Sequence, residues 1–280
     1  MLSNVEEMRK ALSSLEYFKK YAVSPHHERY SFPFLRGTYF AYRRIDVIRV
    51  FYIANSISDN PSFIDVGCGY GDFLKKVREF IPNAIGIEKN AKIFYEYGID
   101  KPDYIRIWDA KWGIDKKYDI IFVGWMEPGV DFRDAVANKA DVIITTLDQG
   151  TSLAAEFDGH NYHLVAMWRT PSWEDVNIEI MNRYYTKMSD DTYRHLHKLR
   201  GAHNLWYVYC TKSSKKIEDV KSALLQCIKE EERFLSECYD FEHVLDECGF
   251  GYMQELEDFN STNTWEKKDI KLWKMVFNNI

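Results

Sequence analysis

One eleven-residue run constrains this chain more than any other: Phe63-Ile64-Asp65-Val66-Gly67-Cys68-Gly69-Tyr70-Gly71-Asp72-Phe73. Three glycines at alternate positions follow a short apolar run and open a helical pattern. Glycine tolerates positive φ and carries no Cβ, so the backbone turns sharply and approaches a ligand closely. The helix starting near Asp72 then offers unpaired backbone N–H groups toward that ligand. The spacing is G-x-G-x-G, whereas the dinucleotide fingerprint is G-x-G-x-x-G. An acid, Asp65, stands two residues before the first glycine. Like charges repel, so that carboxylate suits a cationic ligand better than a pyrophosphate. Within the loop, Cys68 reads as a small packing residue rather than a nucleophile.

The rest of the chain supplies the context. Residues 3–22 carry apolar positions three and four apart, which predicts a helix. A break follows at Ser24-Pro25. A second helix is expected from about Thr38 to Asn55. Short apolar strands are expected at 62–66, 84–87, 104–107, 118–123 and 141–145, with helical stretches at 72–80, 93–97 and 131–138. That alternation predicts βαβ units and a mostly parallel sheet. Beyond Thr146, strands are expected at 162–168, 177–185 and 205–210, with a helix over 189–199. Residues 216–247 read as helical, with Ile217, Val220, Leu224, Cys227, Ile228 and Leu235 on one stripe.

Two further acids fall at strand ends. Glu88 ends the second strand, 23 residues after Asp65. A carboxylate there can accept both hydroxyl hydrogens of a ribose. Asp109 ends the third strand and can accept a hydrogen bond from an adenine amino group.

Residues 60–146 resemble the class I S-adenosylmethionine-dependent methyltransferases. The resemblance rests on Asp65-Val66-Gly67-Cys68-Gly69-Tyr70-Gly71, on Glu88, on Asp109 and on the 118–123 strand. It implies an α/β fold: a doubly wound, mostly parallel, seven-stranded Rossmann-like methyltransferase sheet whose last strand is antiparallel. It implies N-terminal helices and a C-terminal helical extension. The expected organisation is a helical lid or cap over 1–58, an S-adenosylmethionine-binding core over 59–212 and a helical extension over 213–280. The resemblance puts Gly67, Gly69 and Gly71 under the methionine and ribose, Glu88 on the ribose hydroxyls and Asp109 on adenine.

The acceptor side is less defined. The fourth strand runs into Gly124-Trp125-Met126-Glu127-Pro128-Gly129-Val130. Amino-group methyltransferases of this family often carry Asn/Asp-Pro-Pro-aromatic here, and only an acid and one proline remain. Gly124 stands where protein arginine methyltransferases carry their first glutamate, so a guanidinium-orienting carboxylate pair is missing. Glu127 is the candidate to orient or deprotonate an acceptor, or else it caps the loop. Trp125 either covers the cofactor or packs in the core. Arg36, in the aromatic run 32–39, is a candidate partner for the methionine carboxylate, as is Tyr39. Methyl transfer draws much of its rate from in-line positioning. A missing acid–base motif is therefore compatible with activity, and the acceptor stays unnamed.

Charge and cysteines narrow the alternatives. Lys and Arg number 37 against 43 Asp and Glu, a net charge of −6. That excludes a broad basic field for nucleic acid. The basic stretch Arg194–Arg200 reads as the polar side of a short helix. With 16% aromatic residues, the balance favours a small-molecule acceptor over RNA or protein, while a catalytically silent binding subunit remains the other class. Five widely spaced cysteines and scattered histidines suggest neither disulfides nor a metal site. No run reaches the ~20 apolar residues of a membrane span, and no signal peptide is evident, so a cytoplasmic location is expected.

Overall fold

The computed structural model describes residues 40–96, 98, 100–124, 131–147, 157–172, 175–176, 205–252 and 272–278. The expected helices over 3–22 and 189–199 and the strand over 177–185 lie outside these residues.

The first described helix, α1, spans Arg44–Ile57. It starts later than Thr38 because residues 40–43 are not helical: the Arg43 N–H is claimed by the Asp46 carboxylate at 2.8 Å, which caps the first turn. The chain then alternates as predicted: β1 (Phe63–Val66), α2 (Asp72–Val77), β2 (Ile85–Glu88), α3 (Lys92–Glu96), β3 (Ile105–Ile107), β4 (Tyr118–Val123), α4 (Arg133–Val136) and β5 (Ala140–Leu147). Next come β6 (Tyr162–Arg169), β7 (Leu205–Thr211), α5 (Ser214–Phe234), α6 (Glu242–Glu247) and β8 (Val276–Phe277).

The sheet has the order β3-β2-β1-β4-β5-β7-β6-β8. β1 through β5 pair in parallel, so their carboxyl ends share one edge. β7 runs antiparallel between β5 and β6, as the resemblance implied for one strand. Among the described residues the sheet has eight strands rather than seven, because Val276–Phe277 pairs antiparallel with β6 at the rim. No described helix is long and apolar enough to cross a membrane.

Alternation along the strands divides the core in two. Phe63, Ile120, Phe122, Val142, Ile144, Trp206 and Val208 face α1, α2 and α5. Ile64, Val66, Ile121, Val123, Ile143 and Tyr207 face the other side. At Gly86 on β2 the glycine-rich turn lies so close that an added Cβ would meet Cys68 Sγ at 2.6 Å and Leu74 Cδ2 at 2.7 Å. Both neighbours are buried, so neither can swing away. Gly86→Ala is therefore expected to cost about 1–3 kcal/mol by overpacking, read as a lowered denaturation midpoint.

The C-terminal region departs from the expected single helix. α5 ends at Phe234, and the chain turns so that Tyr239 and Phe241 reach the Tyr42 ring before α6 resumes. The buried stripe also differs. Ile217, Val220, Leu224, Cys227 and Glu231 are buried, whereas Ile228 and Leu235 are 37% and 45% exposed.

Glu231 is buried because Arg49 of α1 meets it there. Arg49 Nε and Nη2 donate to Glu231 Oε1 at 3.1 and 2.8 Å, and Nη2 also reaches Tyr252 Oη and the Trp273 carbonyl. Asp46 lies 3.5 Å from Arg49 Nη1 and accepts from Trp168 Nε1 at 2.8 Å. The guanidinium sits 5.1 Å from the Trp168 ring centroid. One buried cation thus ties α1, α5, β6 and the chain after α6 together.

Candidate cofactor site

The loop between β1 and α2 is held in a left-handed path. Gly67, Gly69 and Gly71 have φ of 76°, 57° and 85°, a region costly for residues with a Cβ. The N–H groups of Gly67 and Cys68 both donate to the Ile87 carbonyl, at 2.9 and 3.1 Å, fixing the loop to the end of β2. Glu88 completes the clamp. Its Oε2 accepts from the Gly69 N–H at 3.0 Å and its Oε1 from the Asn90 N–H at 2.8 Å.

A cavity of about 240 Å³ opens at this edge. Its lining includes Asp65, Gly67, Gly69, Glu88 and Asp109, so five positions singled out from sequence converge on one space. Gly71 is set back from the lining and turns the chain into α2, with the Ile105 side chain where its Cβ would lie. Asp109 accepts from the Lys111 N–H at 2.9 Å and caps the short 3₁₀ turn Ala110–Trp112. Trp125, Glu127 and Arg36 lie outside the described residues, as does Tyr39.

Among the lining residues not singled out are Phe40, Asn90, Trp108 and Phe132. Asn90 and Trp108 each neighbour a strand-end acid, which is the signal that marks them. Phe40 and Phe132 come from distant segments, and only their aromatic character hints at a wall. Trp108 is fixed by donating from Nε1 to the Gly113 carbonyl at 2.9 Å and sits edge-on to Trp112.

The electrostatics are one-sided at the base of the cavity. Asp65 is only 3% exposed. Burial pushes its carboxyl well above the ordinary range, and the nearby Asp72 and Glu88 carboxylates push it further. No donor meets the Asp65 carboxylate among the described residues. Burial also raises Glu88, partly offset by the N–H groups of Asn90 and Gly69. Cys68 is raised well above its usual value, by burial and by the same acids, which fits a packed thiol rather than a nucleophile. Among the described residues no group of three or more His, Cys, Asp or Glu side chains is placed to hold a metal ion.

No family model and no curated protein matches the sequence. Solved structures do match. The plantazolicin methyltransferase BpumL in complex with SAH is 12% identical, with 74% of this chain and 98% of that chain covered and a TM-score of 0.40. StiE O-MT residues 961–1257 is 15% identical, covering 66% and 80%, at 0.39. A putative RNA methyltransferase from Pyrococcus horikoshii is 10% identical, covering 59% and 81%, at 0.39. The fold resembles theirs. Identities of 10–15% and TM-scores no higher than 0.40 leave the chemistry of this chain to its own site.

The residues present fit S-adenosylmethionine. Glu88 accepts from the Gly69 and Asn90 N–H groups through different oxygens and also lines the cavity, where a carboxylate can accept ribose hydroxyls. Burial and the neighbouring acids disfavour the Asp65 carboxylate, and a ligand ammonium beside it would supply the cation that stabilises it. Asp109 follows β3 by two residues, the strand whose Ile107 pairs with Glu88, and lines the same cavity.

Proposed function

We propose that this chain is an S-adenosylmethionine-dependent methyltransferase acting on a small-molecule acceptor. The observation that carries this reading is the convergence of Asp65 and Glu88, near the carboxyl ends of adjacent parallel strands, on one cavity around a left-handed glycine loop. When bound, the cofactor supplies a methyl group on a sulfonium, already a good leaving group.

The chain's own residues then bind and orient. Asp65 holds the ammonium, Glu88 the ribose hydroxyls and Asp109 an adenine amino proton. Phe40, Phe73 and Phe122 wall the cavity and exclude water, with Phe73 and Phe122 ring centroids 4.6 Å apart. Glu127 is proposed to orient the acceptor, Trp125 to cover the cofactor and Arg36 to meet its carboxylate. The acids lining the cavity disfavour a polyanionic acceptor such as RNA, because like charges repel.

Calorimetric titration with S-adenosylmethionine and S-adenosylhomocysteine tests the cofactor. Micromolar binding is expected for the wild type. Glu88→Ala is expected to weaken it by roughly 100-fold, the ~3 kcal/mol of a lost charged hydrogen-bonding centre. Wild-type protein that binds neither compound would overturn the reading. Binding without methyl transfer across a broad acceptor panel would instead favour a silent binding subunit.

A further inference from the structure

Arg43, Arg44 and the α6 corner form a second buried cluster, behind the cavity rather than in it. Arg43 Nη1 lies 3.5 Å from Glu242 Oε2, and its Nη2 donates to Asp246 Oδ1 at 2.5 Å and to the Phe250 carbonyl at 3.2 Å. The Arg44 N–H, in the first turn of α1, donates to Glu242 Oε1. Next to Glu242, the Phe241 ring sits edge-on to Tyr42, 5.0 Å between centroids. Tyr42 in turn touches Phe40 at 5.0 Å and Phe73 at 5.1 Å, and both of those rings line the cofactor cavity.

We propose that the Phe241–Glu242 corner is a positioning element for the cavity: through Tyr42 it presses Phe40 and Phe73 into place, and ionisation of Glu242 loosens that brace. The geometry supplies the linkage, since one carboxyl caps α1 and one neighbouring ring backs two wall residues. Burial pushes the Glu242 carboxyl up to about 7, against the lowering effects of the Arg44 N–H and Arg43. The charged and titratable groups facing it are Arg43, which precedes α1, and Arg44 and Asp46 from α1, with Cys238, Tyr239 and Asp246 from its own segment. Glu237 pairs with Arg44 at 2.8 Å, and Lys76 of α2 lies 4.4 Å from the Tyr239 ring centroid. A raised carboxyl favours the folded brace while protonated. The stabilisation is therefore full at low pH and declines as pH rises toward and through about 7.

The test compares wild type with Glu242→Gln, which keeps an oxygen for the Arg44 N–H but cannot ionise. The first readout needs no cofactor: peptide-resolved labelling of Cys68, which lines the cavity, by a small thiol reagent between pH 6 and 8.5. The wild-type to variant ratio cancels the thiol's own pH dependence. It is expected to rise up to about pH 7, by at most about tenfold per unit because one proton is involved, and to level off above. The second readout, S-adenosylhomocysteine affinity, rests on the proposed function. Wild type should weaken severalfold relative to the variant over the same range. A second variant, Phe241→Leu, keeps the carboxyl and loosens the ring contact, and should raise Cys68 labelling at every pH. A flat wild-type to Gln ratio, or an unchanged Phe241→Leu rate, overturns the brace. A rising ratio with no cofactor binding by either protein sustains the brace and defeats the cofactor reading instead.

Discussion

Asp65→Asn is expected to make the ligand-free protein more stable while impairing its binding. The native carboxylate is buried beside Asp72 and Glu88 with no donor among the described residues. An amide removes the charge and can donate to those acids. The gain should be roughly 1–3 kcal/mol at pH 8, the scale of an unsatisfied buried polar group. At ~2–4 °C per kcal/mol for a domain of this size, melting rises by about 2–12 °C. Loss of the charged contact should weaken S-adenosylmethionine binding by roughly tenfold to a hundredfold. The pH dependence follows from the raised carboxyl. The folded chain holds that proton to a higher pH than the unfolded chain, so wild-type stability declines as pH rises from the ordinary carboxylate range through the raised value. The difference between variant and wild type should accordingly grow with pH and vanish in acid. Thermal melts at several pH values check this, and a variant less stable than wild type at pH 8 would show that Asp65 is a structural residue.

Arg49→Met should be the most damaging single change outside the cavity. Methionine fills much of the space but leaves Glu231 and Asp46 buried without their cation. Breaking a buried pair in this way typically costs 3–5 kcal/mol, so the denaturation midpoint should drop by about that much in free energy. Arg49→Lys should recover little, since one ammonium cannot replace the fork that meets Glu231 through Nε and Nη2. Adding Glu231→Gln to Arg49→Met should restore part of the loss, because the stranded charge is then gone. Denaturant titrations of the three variants decide it. A double variant no better than Arg49→Met would locate the damage in lost packing against Trp168.

The parts of this molecule that were legible in its sequence are those fixed by local rules. A glycine needing positive φ announces itself, and a strand-end acid follows from counting. The glycine loop, Glu88 and Asp109 therefore fell on one edge as expected. The 118–123 strand is bounded in the structure as the pattern drew it, because its apolar run is continuous. What escaped depends on distant partners. Glu231 is not part of the apolar stripe expected for its helix, and its burial depends on Arg49, 182 residues away. Ile228 looked buried by spacing alone, but the contact face of α5 is centred on Arg49 rather than on the most apolar arc. Phe40 enters the cavity because Tyr42 and Phe241 back it, a relation no local window contains.

The placement of β7 between β5 and β6 bears on how the chain is made. On a ribosome, β6 emerges before the strand that will separate it from β5 exists. At ~5–20 residues per second, the stretch from Arg169 to Leu205 takes a few seconds to follow. During that interval Trp168 and its neighbours have no β7 to cover them, and β6 can pair wrongly with the free edge of β5. Slowed translation across that stretch, or a shortage of holdase chaperones, should therefore reduce soluble yield more than the same stress applied before β5.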